Sequence, residues 1–312
     1  MINMEIILNN VKKTIKKATV IDGISAKWTG GKVYGLCGYN GCGKTMLMRL
    51  VAGLIRPTEG SVTIDGKELG KDIDFPESIG LMIENPAFLD HYTAMQNLQL
   101  VASLKKKATR EDCIDALKRV NLDPNDLRTF KKFSLGMKQR LGIAVALLGN
   151  PDLLILDEPV NGLDPMGMRD VRDIIHFINK EYGVTFLISS HLLGELEKVA
   201  NVYGIINQGV LLEELSSEEL DKRCGSKISV TCTEPQKACT TVKQLFGIDS
   251  VSFSDAGIII EAPPTISARV NSELVKSGIE VSRLEIISKS YEDYLLERMG
   301  MLNVGSGVGQ YV

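Results

Sequence analysis

The sequence predicts an α/β layered fold over its first two thirds and a small α+β domain after it. Two observations lead to this prediction. Short apolar runs of strand length alternate with helical patterns up to about residue 215, which is typical of a sheet covered by helices. A different order of elements then begins after Ser226. The four clearest runs are apolar on both faces, as buried parallel strands are, and they cover residues 33–37, 153–156, 184–188 and 203–206.

A helical subdomain is predicted inside the α/β layer, at about residues 86–149. This stretch lacks strand signals, and the segment 111–117 carries its apolar residues at helical spacing. We therefore place the first domain at residues 1–220 and regard the helical stretch as an insertion in it.

The region after residue 220 is predicted to form a separate α+β domain at residues 221–300. Strands are expected at 227–233 and 280–287, a hairpin at 251–261, and helices at 236–246, 266–277 and 290–299. The order strand, helix, hairpin, helix, strand is typical of a split-βαβ fold. The glycine-rich residues 301–312 are expected to form a flexible tail.

Composition narrows the classes of function. Lys and Arg number 36 against 39 Asp and Glu, a net charge of −3, so we expect no nucleic-acid partner. No apolar run approaches the roughly 20 residues of a membrane-spanning helix, and no signal-peptide pattern opens the sequence, so we expect a cytoplasmic protein. The six cysteines and three histidines show no zinc-ligand spacing. We expect all six cysteines to be reduced thiols.

The strongest chemical signal is a phosphate-binding loop at residues 38–45. Here Gly38, Tyr39, Asn40, Gly41, Cys42, Gly43, Lys44 and Thr45 match G-x-x-x-x-G-K-[ST] between a predicted strand and a predicted helix. Glycines let successive N–H groups face a phosphate, and the helix adds the positive end of its dipole. We expect Lys44 to reach the β- and γ-phosphates and Thr45 to bind Mg²⁺. A simple glycine turn before a helix is disfavoured by the strand–loop–helix context.

Two acids and a histidine are predicted at the ends of neighbouring buried strands. Asp157 and Glu158 directly follow the run at 153–156, where unpaired buried carboxylates would be costly. Beside a bound phosphate, Asp157 can hold Mg²⁺ through water and Glu158 can accept the proton of an attacking water. His191 follows another apolar run, at the strand end where α/β folds gather ligands. Together with the loop, these residues predict nucleotide hydrolysis.

Residues 4–220 resemble the nucleotide-binding subunit of an ATP-binding cassette (ABC) transporter, a P-loop ATPase core. Ser134-Leu135-Gly136-Met137-Lys138-Gln139-Arg140 resembles the cassette signature, and residues 161–164 lie where the family has its D-loop. The resemblance implies that two cassettes pair head to tail, so that Ser134 and Gly136 of one close over ATP held by the other. It also implies that His191 contacts the γ-phosphate and the attacking water.

Three features depart from the family's pattern. Leu135 and Met137 occupy signature positions where small residues are usual, and Ile15 lies near the place of an adenine-stacking aromatic residue. Glu84 replaces the glutamine of the Q-loop. A carboxylate binds metal more strongly than an amide but repels the γ-phosphate, and we count Glu84 among the metal ligands. The combination of this glutamate with the signature at residues 134–140 resembles the cassettes of bacterial exporters and immunity systems for bacitracin and lantibiotics.

The resemblance implies an ATP-hydrolysing subunit that exports a peptide antibiotic, drug or lipid-like cargo through separate transmembrane permease subunits. It implies ATP and Mg²⁺ as cofactors and a second ABC subunit, either this same chain or a different one, as partner. The protein would lie on the inner face of the cell membrane, and the segment Asn85–Asn97 is where the family docks its membrane subunit.

The alternative is a non-transport ABC ATPase that acts on the ribosome or DNA. DNA-maintenance relatives insert a long coiled coil before the signature, whereas only about ninety residues separate Lys44 from Ser134 and they show no sustained heptads. Ribosome-acting relatives carry two cassettes in one chain, and this chain has one phosphate loop. Both forms of the alternative are therefore disfavoured.

Overall fold

The computed structural model of the protein describes residues 4–84, 87–104, 108–191, 193–287 and 290–300. The chain divides into two compact units, with the boundary after Ser217. The tail predicted at residues 301–312 lies outside the described residues.

The first unit contains ten strands and six helices among its described residues. The strands are β1 (Glu5–Ile15), β2 (Ala18–Thr29), β3 (Val33–Cys37), β4 (Glu59–Ile64), β5 (Lys67–Glu68), β6 (Ile79–Met82), β7 (Leu153–Leu156), β8 (Thr185–Ser190), β9 (Val202–Asn207) and β10 (Val210–Ser216). The helices are α1 (Lys44–Val51), α2 (Ala94–Leu104), α3 (Arg110–Arg119), α4 (Leu135–Leu147), α5 (Pro165–Tyr182) and α6 (Leu193–Leu196), with a 3-10 turn at Phe130–Lys132.

A six-stranded sheet of order β10-β9-β3-β8-β7-β6 forms the centre of this unit. All pairs are parallel except β9 with β10. Strands β3, β7 and β8 are buried at every position, which explains their uninterrupted apolar sequences and confirms the α/β prediction. Because these strands are parallel neighbours, the residues that follow each of them meet at one edge of the sheet.

A second, antiparallel sheet of order β2-β1-β4-β5 was not predicted from the sequence. Its long strands bury alternate residues, among them Ile6, Leu8 and Ile21, so they lack a continuous apolar run. A register shift between β1 and both of its partners near Asn10, which has a φ of 48°, interrupts the alternation further. The buried face shares one apolar core with α1 and the central sheet.

The predicted insertion contains three helices, α2, α3 and α4, that pack against one another. Helix α3 begins with a capping box formed by Thr109 and Asp112, which satisfies otherwise unpaired N–H groups. Ser134 caps α4, and the only extended pairing described between residues 87 and 149 is an isolated bridge between Thr93 and Thr129.

The second unit is built on a four-stranded antiparallel sheet of order β12-β13-β11-β14. Its elements are α7 (Ser217–Cys224), β11 (Lys227–Cys232), α8 (Pro235–Phe246), β12 (Val251–Ser254), β13 (Gly257–Ile260), a 3-10 turn (Pro264–Ile266), α9 (Ser267–Lys276), β14 (Val281–Ile287) and α10 (Tyr291–Arg298). Residues of α8 and α9 share a core with one face of the sheet. The order of the elements along the chain and the order of the strands in the sheet agree with the split-βαβ prediction. Throughout the described ranges, no helix is both long and apolar enough to span a membrane.

Candidate functional site

The phosphate-binding loop joins the end of β3 to the start of α1. Gly41 and Gly43 have φ values of 80° and 113°, a region of backbone conformation that glycine adopts without steric cost. Position 38 requires glycine for a different reason. A Cβ on Gly38 would lie 2.3 Å from the Ile206 carbonyl oxygen and 2.6 Å from Cys42 Sγ. The loop therefore needs glycine both for its turn and for its close contact with β9.

Lys44 is buried at the first position of α1, with 5% of its surface exposed. Its Nζ donates hydrogen bonds to the carbonyl oxygens of Gly38 at 2.6 Å and Tyr39 at 3.3 Å, and lies 3.5 Å from Glu158 Oε1. A buried ammonium requires such oxygen partners. The side chain thus lies within the loop and connects it to the acid at the end of β7.

Asp157 accepts two hydroxyl hydrogen bonds from residues on neighbouring elements. Thr45 Oγ1 donates to Asp157 Oδ2 at 2.7 Å, and Ser189 Oγ donates to Asp157 Oδ1 at 2.5 Å. The sequence motifs identified Thr45 and Asp157 but not Ser189. The structure brings the predicted metal-binding hydroxyl and carboxylate into direct contact.

Glu158 lies between a lysine and a histidine. Its second carboxylate oxygen, Oε2, is 2.7 Å from His191 Nδ1, while its backbone N–H donates to Ser189 Oγ at 2.8 Å. The residue has a φ of 50°, a strained conformation for a residue with a Cβ and one often found at functional sites. Loop, acid pair and histidine are therefore assembled at one sheet edge, as the sequence predicted.

Two adjoining cavities open at this edge and share Glu158 in their linings. One, of about 250 Å³, is lined by the loop residues Asn40, Gly41, Gly43, Lys44 and Thr45, together with Val20 and Met46. The other, of about 380 Å³, is lined by Glu84, Leu135, Gln139, Asp157, Asn161 and Gly162. Ser134 and Gly136 are not among the described residues that line either cavity.

The signature residues lie at the start of α4. Ser134 Oγ accepts a hydrogen bond from the Met137 N–H at 3.3 Å, so the serine acts here as an N-cap. A Cβ on Gly136 would be 3.9 Å from its nearest neighbours, Leu163 and Gly167. Leu135 packs towards Gly162 of the predicted D-loop and is 45% exposed. Within one chain, then, Leu135 and Gln139 of the signature line the larger cavity, and no signature residue is among those that line the cavity at the phosphate-binding loop.

Glu84 lies at the same sheet edge, two residues after β6, and its carboxylate Oε1 contacts Arg49 Nη2 of α1. It lines the cavity that Asp157 also lines. Arg49 was not identified from the sequence, because the residues that form this ion pair are far apart in the chain. Ile15, the candidate for adenine contact, is the last residue of β1 and is 40% exposed.

Two cysteines, Cys37 and Cys42, lie at the end of β3 and in the phosphate-binding loop. No cluster of three or more His, Cys, Asp or Glu side chains suited to a metal occurs in the described part of the chain. Burial raises the pKa of the Cys37 thiol to about 12 and also raises that of Cys42. Both thiols are therefore protonated at neutral pH and are poor nucleophiles.

Comparisons with known proteins agree with this geometry. Residues 21–161 match the family described as ABC transporter. The chain is 35% identical over 292 residues to the bacitracin transport ATP-binding protein BcrA of Enterococcus faecalis, covering 93% of this chain and 95% of that protein. It is 39% identical over 225 residues to the lantibiotic transport ATP-binding protein SrtF of Streptococcus pyogenes, covering 71% and 96%.

Among solved structures, the chain resembles the dimeric structure of MJ0796, a bacterial ABC transporter cassette. The TM-score is 0.61 at 23% sequence identity, over 68% of this chain and 98% of that one. This likeness shows the shared cassette fold. The family is shown by BcrA, to which the chain is 35% identical over nearly the full length of both proteins. The chain belongs to the ABC transporter family, as one of its ATP-binding subunits that hydrolyse ATP.

Proposed function

We propose that this protein powers an exporter of peptide antibiotics or of similar drug-like or lipid-like cargo, and that it hydrolyses ATP with Glu158 as general base. The observation that carries the catalytic part is the position of Glu158, held between Lys44 and His191 beside the phosphate-binding loop. A base must be oriented towards the proton that it accepts, and these two contacts orient both carboxylate oxygens.

The residues present fit a Mg²⁺ ion that a nucleotide brings with it. Thr45 Oγ1 and Asp157 Oδ2 are 2.7 Å apart, and magnesium in phosphate sites commonly takes one or two protein oxygens and completes its shell with water and phosphates. Such a site needs no cluster of three acids. When bound, the ion would neutralise charge on the β- and γ-phosphates. We propose Thr45 and Asp157 as its holders, with Glu84 as an additional candidate.

In the proposed reaction, Glu158 accepts a proton from a water molecule as the water oxygen bonds to the γ-phosphorus. The bond between that phosphorus and the β–γ bridging oxygen breaks, and ADP and phosphate leave. Lys44 stabilises the charge on the phosphate oxygens, and the loop N–H groups bind the chain of phosphates. His191 holds Glu158 and contacts the transferred phosphate.

We propose that Ser134 and Gly136 act on ATP bound to a second cassette. Two facts support this assignment: neither residue is among those that line the cavities of its own chain, and α4 begins directly after its N-cap Ser134, with N–H groups at its start that can bind an anion. The second cassette is a copy of this chain or a related one. Closure of such a pair on ATP and reopening after hydrolysis would drive the membrane partner.

The cargo is proposed from the relatives, whose names describe bacitracin and lantibiotic transport. Separate transmembrane permease subunits would carry it, and the protein would lie at the inner face of the cell membrane. A docking surface is available around the predicted segment 85–97, of which residues 87–97 are described. Leu89 and Tyr92 are 47% and 41% exposed, and Leu100 and Leu104 on α2 are 44% and 80% exposed. We propose that these exposed apolar side chains take part in the contact with the permease.

The experiment is an affinity capture of the tagged Glu158→Gln variant from detergent-solubilised membranes in the presence of ATP. We expect a multi-span membrane protein to be recovered, and in smaller amount when ATP is omitted. Glu181→Gln, a change of the same kind on the exposed end of α5, is the matched control and should not trap the complex. Recovery of ribosomes or nucleic acid without a membrane protein would refute the transport proposal.

A further inference from the structure

The carboxylate of Glu84 is paired with Arg49, and both residues are placed by the fold for this contact. Arg49 lies on α1, four residues after Thr45, so the two side chains project from the same face of the helix. Glu84 has a φ of 64°, an unfavourable conformation for a residue with a Cβ. The backbone thus turns at Glu84 in a way that points its side chain back towards α1.

Three carboxylates surround the larger cavity, those of Glu84, Asp157 and Glu158. Each has a different kind of partner. Glu158 is paired with the ammonium of Lys44, Asp157 accepts hydroxyl hydrogen bonds that carry no net charge, and Glu84 is paired with the guanidinium of Arg49. Without Arg49, this edge of the sheet would hold one more uncompensated negative charge close to the site proposed for a triphosphate.

We infer that Arg49 is a positioning residue for nucleotide binding, which holds the Glu84 carboxylate against α1 and so keeps it from the phosphates of ATP. This inference rests on the proposed nucleotide site. An exposed ion pair adds little to folding stability, and Arg49 and Glu84 are 30% and 68% exposed. Removal of the pair should therefore change the free energy of unfolding little.

A double-mutant cycle tests this role, with Arg49→Gln, Glu84→Gln and the double variant. The measurement is the dissociation constant of ATP, in buffer with a chelator, by competition with a fluorescent ATP analogue. Without metal, a free Glu84 carboxylate can only repel the phosphates. At the effective dielectric constants of a protein surface, a carboxylate released near the phosphates should weaken ATP binding in Arg49→Gln about fivefold.

The cycle separates an effect of Arg49 through Glu84 from a direct attraction between Arg49 and the phosphates. If Arg49 acts by holding Glu84, its replacement should weaken ATP binding clearly less when Glu84 is already glutamine, since there is then no carboxylate to release. Arg49→Lys should retain most of the affinity, because it keeps the charge. An equal loss in both backgrounds would mean that the charge of Arg49 acts on the phosphates directly and not through Glu84, and no loss in the wild-type background would mean that the pair has no role in ATP binding. Either result overturns the inference.

A matched control is provided by the ion pair between Arg56 and Asp74, which has the same chemistry and exposed side chains. Neither residue is among those that line the two cavities, so Arg56→Gln and Asp74→Asn should leave ATP affinity unchanged. Failure of the wild-type protein to bind ATP even with Mg²⁺ added would refute the proposed function as well. Binding by the wild-type protein without coupling between Arg49 and Glu84 would refute only this inference.

Discussion

His191 Nδ1 lies 2.7 Å from Glu158 Oε2, a contact between residues that follow two neighbouring parallel strands. Lys44 Nζ lies 3.5 Å from the other oxygen of the same carboxylate. The plane of the Glu158 carboxyl group is thus fixed from two sides. A group held in this way needs little reorganisation to accept a proton from water.

Replacement of Glu158 by glutamine should separate ATP binding from turnover. The amide keeps the shape of the side chain but cannot accept a proton, so we expect turnover to fall by about 10²- to 10⁴-fold while ATP still binds. Phosphate release and equilibrium nucleotide binding measure the two effects. Turnover at the wild-type rate would disprove the assignment of Glu158 as the base, and Glu181→Gln provides the control.

Replacement of Ser189 by alanine should affect both stability and nucleotide binding. The Ser189 hydroxyl donates to Asp157 Oδ1 and accepts from the Glu158 N–H, and a buried polar group left unpaired costs about 1–3 kcal/mol. We expect the free energy of unfolding to fall by that amount and the affinity for Mg²⁺-ATP to weaken. Chemical denaturation and nucleotide titration are the measurements.

Ser78 provides the control for this experiment. Its hydroxyl accepts a hydrogen bond of 2.9 Å from the Asp152 N–H, just before β7 begins, at the opposite end of that strand from the site. Ser78→Ala should therefore lower stability without weakening nucleotide binding. If both alanine variants weakened binding equally, Ser189 would have only a structural role.

The sequence predicted those parts of the site that depend on local order along the chain. The phosphate-binding loop and the acid pair each follow a run of buried apolar residues, and parallel pairing then brings the ends of β3 and β7 to the same edge. Ser189 was missed because the predicted strand ended at residue 188, where polar residues begin. Its burial is tolerated only because Asp157 and the Glu158 N–H satisfy its hydroxyl.

Features that depend on contacts distant in sequence could not be predicted. The Arg49–Glu84 pair forms only once the fold brings α1 and the segment after β6 together, and neither residue carries a local signal for the other. The antiparallel sheet was missed because β1 and β2 bury one face only and their alternation is broken by a bulge near Asn10. These elements are specified by the packing of the whole unit.

Replacement of Gly38 by alanine should destabilise the first unit more than replacement of Gly66, a glycine with open space around it. The added Cβ would lie 2.3 Å from the carbonyl oxygen of Ile206, which belongs to β9, so backbone has to move. Gly66 has a φ of 77° and no heavy atom within 4 Å of an added Cβ, so Gly66→Ala should cost only about 1–2 kcal/mol. Thermal unfolding compares the two variants, and equal melting temperatures would contradict the expected clash.

The Glu214 carboxyl group, whose Oε2 accepts a hydrogen bond of 2.7 Å from Trp28 Nε1, should make stability depend on pH. Partial desolvation of this group raises the pKa of Glu214 above its ordinary value of 4.5, although the Trp28 N–H acts in the opposite direction. The folded protein therefore holds this proton more tightly than the unfolded chain, and stability falls as pH rises from about 4.5 through the raised pKa. Above that range, the loss of stability is complete and constant.

Replacement of Glu214 by glutamine should remove this loss, because the amide is neutral and its oxygen can still accept from Trp28. Glu214 is an exposed residue overall, so we expect a rise in melting temperature of only ~1–3 °C at pH 7, shrinking towards zero near pH 4.5. Trp28 is the only tryptophan in the sequence and is 1% exposed, so its fluorescence reports unfolding of the first unit directly. Glu59→Gln, at an exposed position on β4, corrects for the change in net charge. A gain in stability that stayed constant between pH 4.5 and 7 would show that ionisation of Glu214 does not oppose folding, because only a charge that forms within that range can make the difference between the two proteins vary with pH.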